Sequence, residues 1–236
     1  MSGFLRWRLV KTCARPLTAW DDLVGASEVV TAVWGDSAAL AAPSLLRTYT
    51  HYGNPVIGAF VDDLLCGVSI GFLGSEPEVH LHSHITCVIP SHQHVGIGYD
   101  LKLAQRDWCV EKGIGLVTWT FDPMLVRNAY FNLHKLGASA RRLLPNFYGE
   151  MDDDINRGER TDRLEAWWRV DGTREDAGEI ERTVEVPEDY LALRAADPAM
   201  AASRRASVAV ELAAAFDDGL VATDFTRDKG YCFTRR

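Results

Sequence analysis

Apolar and polar residues alternate along this chain with two different periods, and the places where the period changes predict a mixture of strands and helices. Runs rich in β-branched and aromatic residues predict strands over residues 6–11, 56–61, 65–72 and 79–89. Helical spacing predicts helices over residues 19–34 and 44–52. Because only a short turn separates the second strand from the third, we expect these two strands to form a hairpin.

Beyond the fourth strand the pattern is that of a crossover unit. A helix is predicted over residues 98–112, a short apolar strand over 116–120, and a second helix over 124–136, which Asp122 opens and Gly137 ends. The apolar face of the first helix is expected to consist of Leu101, Ala104 and Trp108. The order of elements predicts that the strands on either side of this helix run parallel.

A polar, Gly-containing stretch over residues 171–181 is typical of a linker. Strands are predicted before it over residues 138–144 and 164–170, with the acidic run Asp152-Asp153-Asp154 as a solvated loop between them. Helices are predicted after it over residues 187–196 and 199–216, and a hairpin over 221–225 and 231–234. We expect a core over residues 1–171 and a C-terminal α/β extension over 172–236 packed on that core, since about fifty residues make a marginal independent domain.

Composition argues against several classes of function. The chain has 236 residues and a formal charge of −8, and it lacks the clustered Lys and Arg that a nucleic-acid binder needs. Its five cysteines are scattered and odd in number, which argues against a disulfide framework and a cysteine zinc cluster. No apolar run approaches the length of a membrane span. We expect a cytoplasmic protein whose partners are small molecules, with no nucleic acid and no membrane as partner and a homodimer left open.

Residues 90–98 form a Gly-containing loop between a predicted strand and a predicted helix. Gly96 and Gly98 allow the backbone to approach a bulky anion, and the N–H groups of residues 97–100 lie at the positive end of the helix dipole. The loop is therefore a candidate anion cradle. The same spacing also fits a plain tight turn, and Leu101 stands near the place where a dinucleotide fingerprint needs a third glycine.

Two motifs of this region resemble those of one enzyme family. Gln93-x-x-Gly96-x-Gly98 resembles the Q/R-x-x-G-x-G/A signature of the GNAT superfamily of N-acetyltransferases. Residues 129–137 resemble the family's A-x-x-x-Y-x-K-L-G-F helix, with its first Ala and its closing Lys-Leu-Gly in place. The resemblance covers roughly residues 5–171. It implies an α/β fold with a mixed, twisted central sheet flanked by helices, in which the parallel fourth and fifth strands splay apart and admit coenzyme A.

The resemblance also implies a reaction. An acyl-CoA-dependent N-acyltransferase would move an acetyl or succinyl group from acetyl-CoA or another acyl-CoA to a primary amine of a small molecule, with an amino acid among the candidates. Transfer would occur by direct attack in a ternary complex, without a metal. The implied coenzyme-binding residues are Cys87, Val88, Ile89, Gln93, His94, Val95, Gly96, Ile97, Gly98, Tyr99 and Asn128. Lys102 and Arg106 are further candidates, for the adenosine phosphate.

Three histidines, His80, His82 and His84, alternate along a predicted strand and are expected to share one face. They fit three interpretations, namely histidines held by local hydrogen bonds, a general base, or a metal site in a metal-dependent hydrolase. A base is useful because an amine with a pKa near 10 is mostly protonated at neutral pH. His82-x-His84 also resembles the H-x-H of arylalkylamine N-acetyltransferases, which implies His84 first and His82 second as catalytic residues.

The second motif departs from the family at one position. Leu133 stands where the family has a Tyr that returns a proton to the departing thiolate, so that Tyr130 and Tyr148 are candidates by proximity only. The departure leaves a non-catalytic acyl-CoA sensor as an alternative function. On the acceptor side, Arg141 and Arg142 with Tyr148 form a candidate clamp for a carboxylate, although paired arginines also cover apolar surface.

Overall fold

A computed structural model describes residues 12–35, 41–151, 158–174 and 178–235. The chain divides into two compact units at the boundary between Val117 and Thr118. The strand predicted over residues 6–11 and the acidic loop predicted at 152–154 lie outside the described residues. Within the described ranges, no helix is long and apolar enough to cross a membrane. The five cysteines are free thiols, as their scattered positions predict.

The first unit is an antiparallel sheet with helices on both faces. Its elements are β1 (Cys13–Pro16), α1 (Trp20–Trp34), α2 (Pro43–His51), β2 (Val56–Val61), β3 (Leu64–Gly74), β4 (His80–Val88) and α3 (Ile97–Glu111). The strands lie in the order β1-β2-β3-β4, and each pairs antiparallel with the next. The predicted hairpin is confirmed as β2 and β3, and the predicted helices are confirmed as α1, α2 and α3 to within one or two residues at each end.

Alternation along the strands produces two separate apolar clusters in this unit. Val56, Val68 and Ile70 pack with residues of α1 and α2, whereas Ile57 and Cys66 pack with residues of α3. Each large apolar side chain buried in this way contributes about 1.5–3 kcal/mol to folding. Helix α3 is therefore fixed against the sheet on the face opposite α1 and α2.

The buried face of α3 differs from the face predicted for it. Leu101 is fully buried, but Ala104 and Trp108 remain partly exposed. Lys102 and Gln105 are buried in their place, because both side chains hydrogen bond to a serine of β4. The buried face of α3 thus includes a polar contact with β4 as well as apolar residues.

In its described residues, the second unit contains six strands, among them the C-terminal hairpin, and three helical segments besides the π-helical one. Its elements are β5 (Leu116–Phe121), which spans the boundary, α4 (Val126–Ala129), a π-helical segment (Tyr130–Lys135), β6 (Ser139–Leu144), β7 (Arg163–Arg169), β8 (Arg182–Val184), α5 (Tyr190–Ala196), α6 (Pro198–Asp217), β9 (Leu220–Thr226) and β10 (Gly230–Arg235). Its strands follow the order β5-β7-β6-β9-β10-β8. The predicted C-terminal hairpin is confirmed as β9 and β10. The division into a core over 1–171 and an extension over 172–236 remains a prediction.

The helix predicted over residues 124–136 begins later and is wound differently. The Asp122 carboxylate accepts a hydrogen bond from the Met124 N–H at 2.8 Å, so it closes a turn ahead of the helix instead of capping it. From Tyr130 onward the helix is of π type, and the Leu136 N–H donates to the carbonyl of Phe131. Gly137 ends it as predicted, in the left-handed region with φ +74°.

A buried group of charged residues fixes α6 to the turn after β5. The Arg205 guanidinium donates to both oxygens of Asp122, at 3.1 and 2.9 Å, and to Glu159 at 3.0 Å. Its Nε donates to the Tyr190 hydroxyl at 3.1 Å, and that hydroxyl donates to Glu159. Burial, followed by the bond to Glu159, raises the pKa of Tyr190 to about 12. Arg205 therefore bridges the two carboxylates, while Arg194 adds a contact to Glu159 at 3.2 Å and Arg163 lies 3.9 Å from Asp122.

We expect Arg205→Met to destabilise the protein by up to about 3–5 kcal/mol, because it removes the closest cation from Asp122 and leaves Arg163 at 3.9 Å and Arg194 at 3.2 Å as weaker compensation for the two carboxylates. Arg204→Met is the matched control, since the partly exposed Arg204 makes a surface ion pair worth about 1 kcal/mol or less. Urea unfolding at neutral pH measures both changes. Equal losses of unfolding free energy in the two variants would show that the ion pairs of Arg205 contribute no more than a surface pair.

Candidate functional site

The loop between β4 and α3 is built around two glycines. The chain leaves β4 through a single 3₁₀ turn at Pro90–His92, and α3 begins after Gly96, whose φ of +96° lies in the left-handed region. A side chain at that position would be strained, which explains the glycine. At Gly98 an added Cβ would meet no atom within 4 Å, so the space beside this residue is open.

The first turn of α3 leaves fewer donors open than the four predicted. The N–H groups of Tyr99 and Asp100 donate back to the Gly96 carbonyl at 2.9 and 3.1 Å. Ile97 and Gly98 have no acceptor in the preceding turn, as expected at a helix N-terminus. These two donors, with the positive end of the helix dipole, form the part of the loop that fits an anion.

Gln93 holds the loop in place. Its side-chain amide donates to the Val88 carbonyl at 3.0 Å, so the side chain folds back onto the end of β4. Asp100, which introduces a negative charge near the anion-binding donors, accepts a hydrogen bond of 2.5 Å from the Thr12 hydroxyl. The Ile89 N–H donates to the Cys66 carbonyl and thereby continues the pairing with β3. The loop is thus anchored at both ends.

The remaining predicted coenzyme residues of this unit differ in exposure. Cys87 is buried, and burial raises the pKa of its thiol to about 12, so its side chain packs as a neutral group. Val95 and Tyr99 are exposed at the surface of the loop. The prediction that Lys102 meets the adenosine phosphate is wrong, because its Nζ is buried and donates to Ser83 at 2.8 Å.

A β-bulge separates the histidines of β4. Gly71 pairs with Ser83 and Ile70 pairs with Ile85, which leaves His84 without a partner in β3. His82 and His84 both contact Phe72, with ring centroids 5.1 and 5.7 Å away, and their own centroids are 6.3 Å apart. The structure therefore brings these two histidines together beside one aromatic ring.

His80 is held in a different way. It is buried, and its Nδ1 lies 2.8 Å from the Glu78 carbonyl, a local hydrogen bond of the kind that structural histidines make. In the described part of the chain, no three or more His, Cys, Asp or Glu side chains are grouped to hold a metal ion.

Burial lowers the pKa of His84 below its usual value. The imidazole is therefore neutral at pH 7 and can accept a proton. A neutral histidine on a bulge, left out of the pairing with β3, is a suitable proton acceptor for chemistry at the surface of β4.

The predicted residues of the second unit lie on the π-helical region and on β6. Asn128 is exposed. Tyr130 is partly buried and stacks on His134, with ring centroids 4.6 Å apart. Leu133 is fully buried, so the position of the family's tyrosine is occupied by a core residue. The Tyr148 hydroxyl lies 2.8 Å from the Thr120 hydroxyl.

The two predicted acceptor-side arginines already have protein partners. Arg142 forms a two-pronged ion pair with Glu165, with both bonds at 2.9 Å. Arg141 lies over the ring of Trp167, 4.3 Å from its centroid, and the Trp167 indole donates to Glu165. Glu165 is the residue that the sequence argument missed, because its proximity follows only from the pairing of β6 with β7.

No family model and no curated protein matches this sequence. Solved structures do match its fold. A GNAT-family protein of Desulfovibrio desulfuricans, assigned as an acetyltransferase, is 20% identical with a TM-score of 0.53 over 68% of this chain and 99% of its own. YncA of Salmonella typhimurium, also assigned as an acetyltransferase and solved with its cofactor acetyl-CoA, is 15% identical with a TM-score of 0.55 over 72% and 98%.

A mosquito arylalkylamine N-acetyltransferase-like protein, 5b, is 14% identical with a TM-score of 0.51 over 67% of this chain and 100% of its own. At these identities the likeness establishes the fold. The chain has the GNAT acetyltransferase fold, and the predicted fold class is confirmed.

We expect Gly98→Val to weaken binding of coenzyme A at least about tenfold with little loss of stability, because the new Cβ meets no protein atom within 4 Å and the side chain takes up space beside the open N–H groups. Gly115→Val is the matched control, since an added Cβ there also meets nothing within 4 Å and lies outside the loop. Titration calorimetry with coenzyme A measures the affinity. Unchanged affinity in Gly98→Val would rule this loop out as the binding site.

Proposed function

We propose that this chain, which has the GNAT fold, is an acyl-CoA-dependent N-acyltransferase that acts on a primary amine of a small molecule. The observation that carries the proposal is the loop after β4, where Gly96 and Gly98 leave two backbone N–H groups open at the start of α3. The loop follows directly on the strand that carries His82 and His84. One short segment therefore offers both an anion cradle and a proton acceptor.

The loop fits a pyrophosphate through its backbone. It contains no Lys or Arg between Gln93 and Gly98, so the anion would be held by the N–H groups of Ile97 and Gly98 and by the helix dipole. Backbone groups of residues 87–89 are the candidates for the pantetheine arm, since the side chain of Cys87 is buried. Asn128, on the exposed face of α4, is the further candidate for that arm.

In the proposed reaction His84 accepts a proton from the substrate ammonium, whose pKa is near 10. The amine nitrogen then forms a bond to the thioester carbonyl carbon, and the bond between that carbon and sulfur breaks. The nitrogen loses a second proton as the amide forms, and the departing thiolate takes up a proton and leaves as the thiol. Because Leu133 is buried, Tyr130 is the candidate donor of that proton, although a thiol with a pKa near 8.5 is also a fair leaving group without one.

The acceptor is proposed to be an arylalkylamine without a carboxylate more than an amino acid. Glu165 already neutralises Arg142, so a substrate carboxylate would compete with a protein carboxylate for the same guanidinium. Tyr148 and Arg141 remain candidates for contact with the acceptor. The likeness to the mosquito arylalkylamine N-acetyltransferase-like structure supports an amine of this kind.

A non-catalytic acyl-CoA sensor is the second candidate function, favoured by the buried Leu133 at the position of the family's proton donor. Thermal unfolding with acetyl-CoA, succinyl-CoA, coenzyme A and NAD, each added separately, tests binding. A ligand at a hundredfold excess over its Kd adds about 2.7 kcal/mol to the free energy of unfolding. Stabilisation by CoA esters with release of thiol in the presence of arylalkylamines supports the enzyme, stabilisation without turnover supports the sensor, and no stabilisation by any CoA compound refutes both.

We expect His84→Gln to reduce kcat by about 10²–10⁴-fold, the usual contribution of a general base, while the affinity for acetyl-CoA stays unchanged. In the wild type, kcat/KM is expected to be constant around pH 7 and to fall only as the pH drops through the lowered pKa of His84, because protonation removes the acceptor. His51→Gln, in α2, is the control for loss of a histidine elsewhere. A pH profile of His84→Gln that keeps the acid limb would assign that limb to another group.

A further inference from the structure

A buried polar group lies behind the two histidines of β4. Ser83, which stands between them in sequence, accepts a hydrogen bond from Lys102 Nζ at 2.8 Å and donates one to Gln105 Oε1 at 2.8 Å. Ser83, Lys102 and Gln105 are each at most 4% exposed. These side chains are too deeply buried to touch a substrate, so their role must be exerted through β4 itself.

The polar group and the bulge of β4 occur together. Thr86 lies 3.4 Å from the Ser83 hydroxyl and 3.0 Å from the hydroxyl of Ser69 on β3. In a regular strand, residues three apart point to opposite faces. Ser83 and Thr86 meet here because the extra residue between the paired positions, His84, shifts the alternation.

Burying Ser83, Lys102 and Gln105 together costs free energy. Burial lowers the pKa of Lys102 to about 7, and Gln105 Nε2 has no hydrogen-bond partner among the described residues. An apolar side chain of similar size would fill the same place at lower free energy. Such departures from an apolar core concentrate where a structure holds a functional geometry.

We propose that Lys102 and Ser83 are positioning residues, which hold the bulge of β4 and thereby the side chain of His84 beside His82 and Phe72. The hydrogen bond from Lys102 keeps Ser83 on the side of α3, and His84 is then left out of the pairing with β3. Without that bond β4 can move by one residue into regular pairing, which would give His84 a partner in β3 and change its place relative to Phe72. The inference rests on the proposed function only in giving His84 its role as base.

The first test is spectroscopic and needs no substrate. The ring ¹H–¹³C signals of His84 are assigned by their absence in His84→Gln, and they are then recorded in Lys102→Met, in Ser83→Ala and in the control Lys112→Met, which alters an exposed lysine just after α3. We expect both Lys102→Met and Ser83→Ala to displace the His84 signals, and Lys112→Met to leave them in place.

Two outcomes overturn the inference. One is a folded Lys102→Met or Ser83→Ala protein with unchanged His84 signals. The other is a displacement in Lys102→Met alone, which would mean that the lysine acts through its charge and not through Ser83. Ser83→Ala keeps the buried lysine and carries the test by itself if Lys102→Met does not fold.

The second test separates this inference from the proposed function. If the protein transfers acyl groups, Ser83→Ala is expected to lower kcat about tenfold or more while KM for acetyl-CoA is unchanged, since a displacement of about 1 Å in a reacting group has effects of this order. If KM rises and kcat is kept, the positioning role is refuted. A wild-type protein without turnover refutes the proposed function, whereas the signals of His84 still decide whether Lys102 and Ser83 hold it.

Discussion

One residue left out of a strand pairing decides the arrangement of the first unit. Because His84 has no partner in β3, the residues on either side of it change faces relative to a regular strand. Ser83 and Thr86 then meet on the side of α3, where Ser83 also bonds to Lys102 and Gln105. His82 and His84 lie beside Phe72, as residues two apart in a strand do. The buried face of α3, and with it the direction in which that helix presents its first turn, follows from this single irregularity.

In the second unit, ion pairs of Arg205 join α6 to the turn after β5. Arg205 of α6 compensates Asp122 and Glu159, which come from distant parts of the sequence. The turn after β5 is therefore fixed by a residue of the C-terminal helix. Residues of α6 and of the turn after β5 thus belong to one compact unit.

Local sequence predicted the elements well because each was encoded within a few residues. The hairpin of β2 and β3, the extent of α1 and α3, and the terminating Gly137 all depend on short-range patterns. The glycines of the candidate site were also found in this way. The bulge at His84 could not be found, because it depends on how β4 pairs with β3 and not on the sequence of β4 alone.

The remaining differences have the same origin. The pairing of Arg142 with Glu165 and the burial of Lys102 against Ser83 join residues that are far apart in sequence. The late start of α4 reflects competition within the turn, where Asp122 has the Met124 N–H as a nearer partner than the helix. Residue types were enough to name candidate catalytic and binding residues. The hydrogen-bond and ion-pair partners of these side chains could be identified only from the fold.

The pairing of β6 with β9 has a consequence for folding during synthesis on the ribosome. β6 pairs with β7 on one side and with β9 on the other, and β9 follows β6 by more than seventy residues. The emerging chain must therefore carry an open sheet edge, and the carboxylates of Asp122 and Glu159 without their arginine, until α6 and β9 have left the exit tunnel. Such delayed contacts slow folding and expose strand edges to other chains, so the second unit is the part of this protein on which we expect chaperones to act.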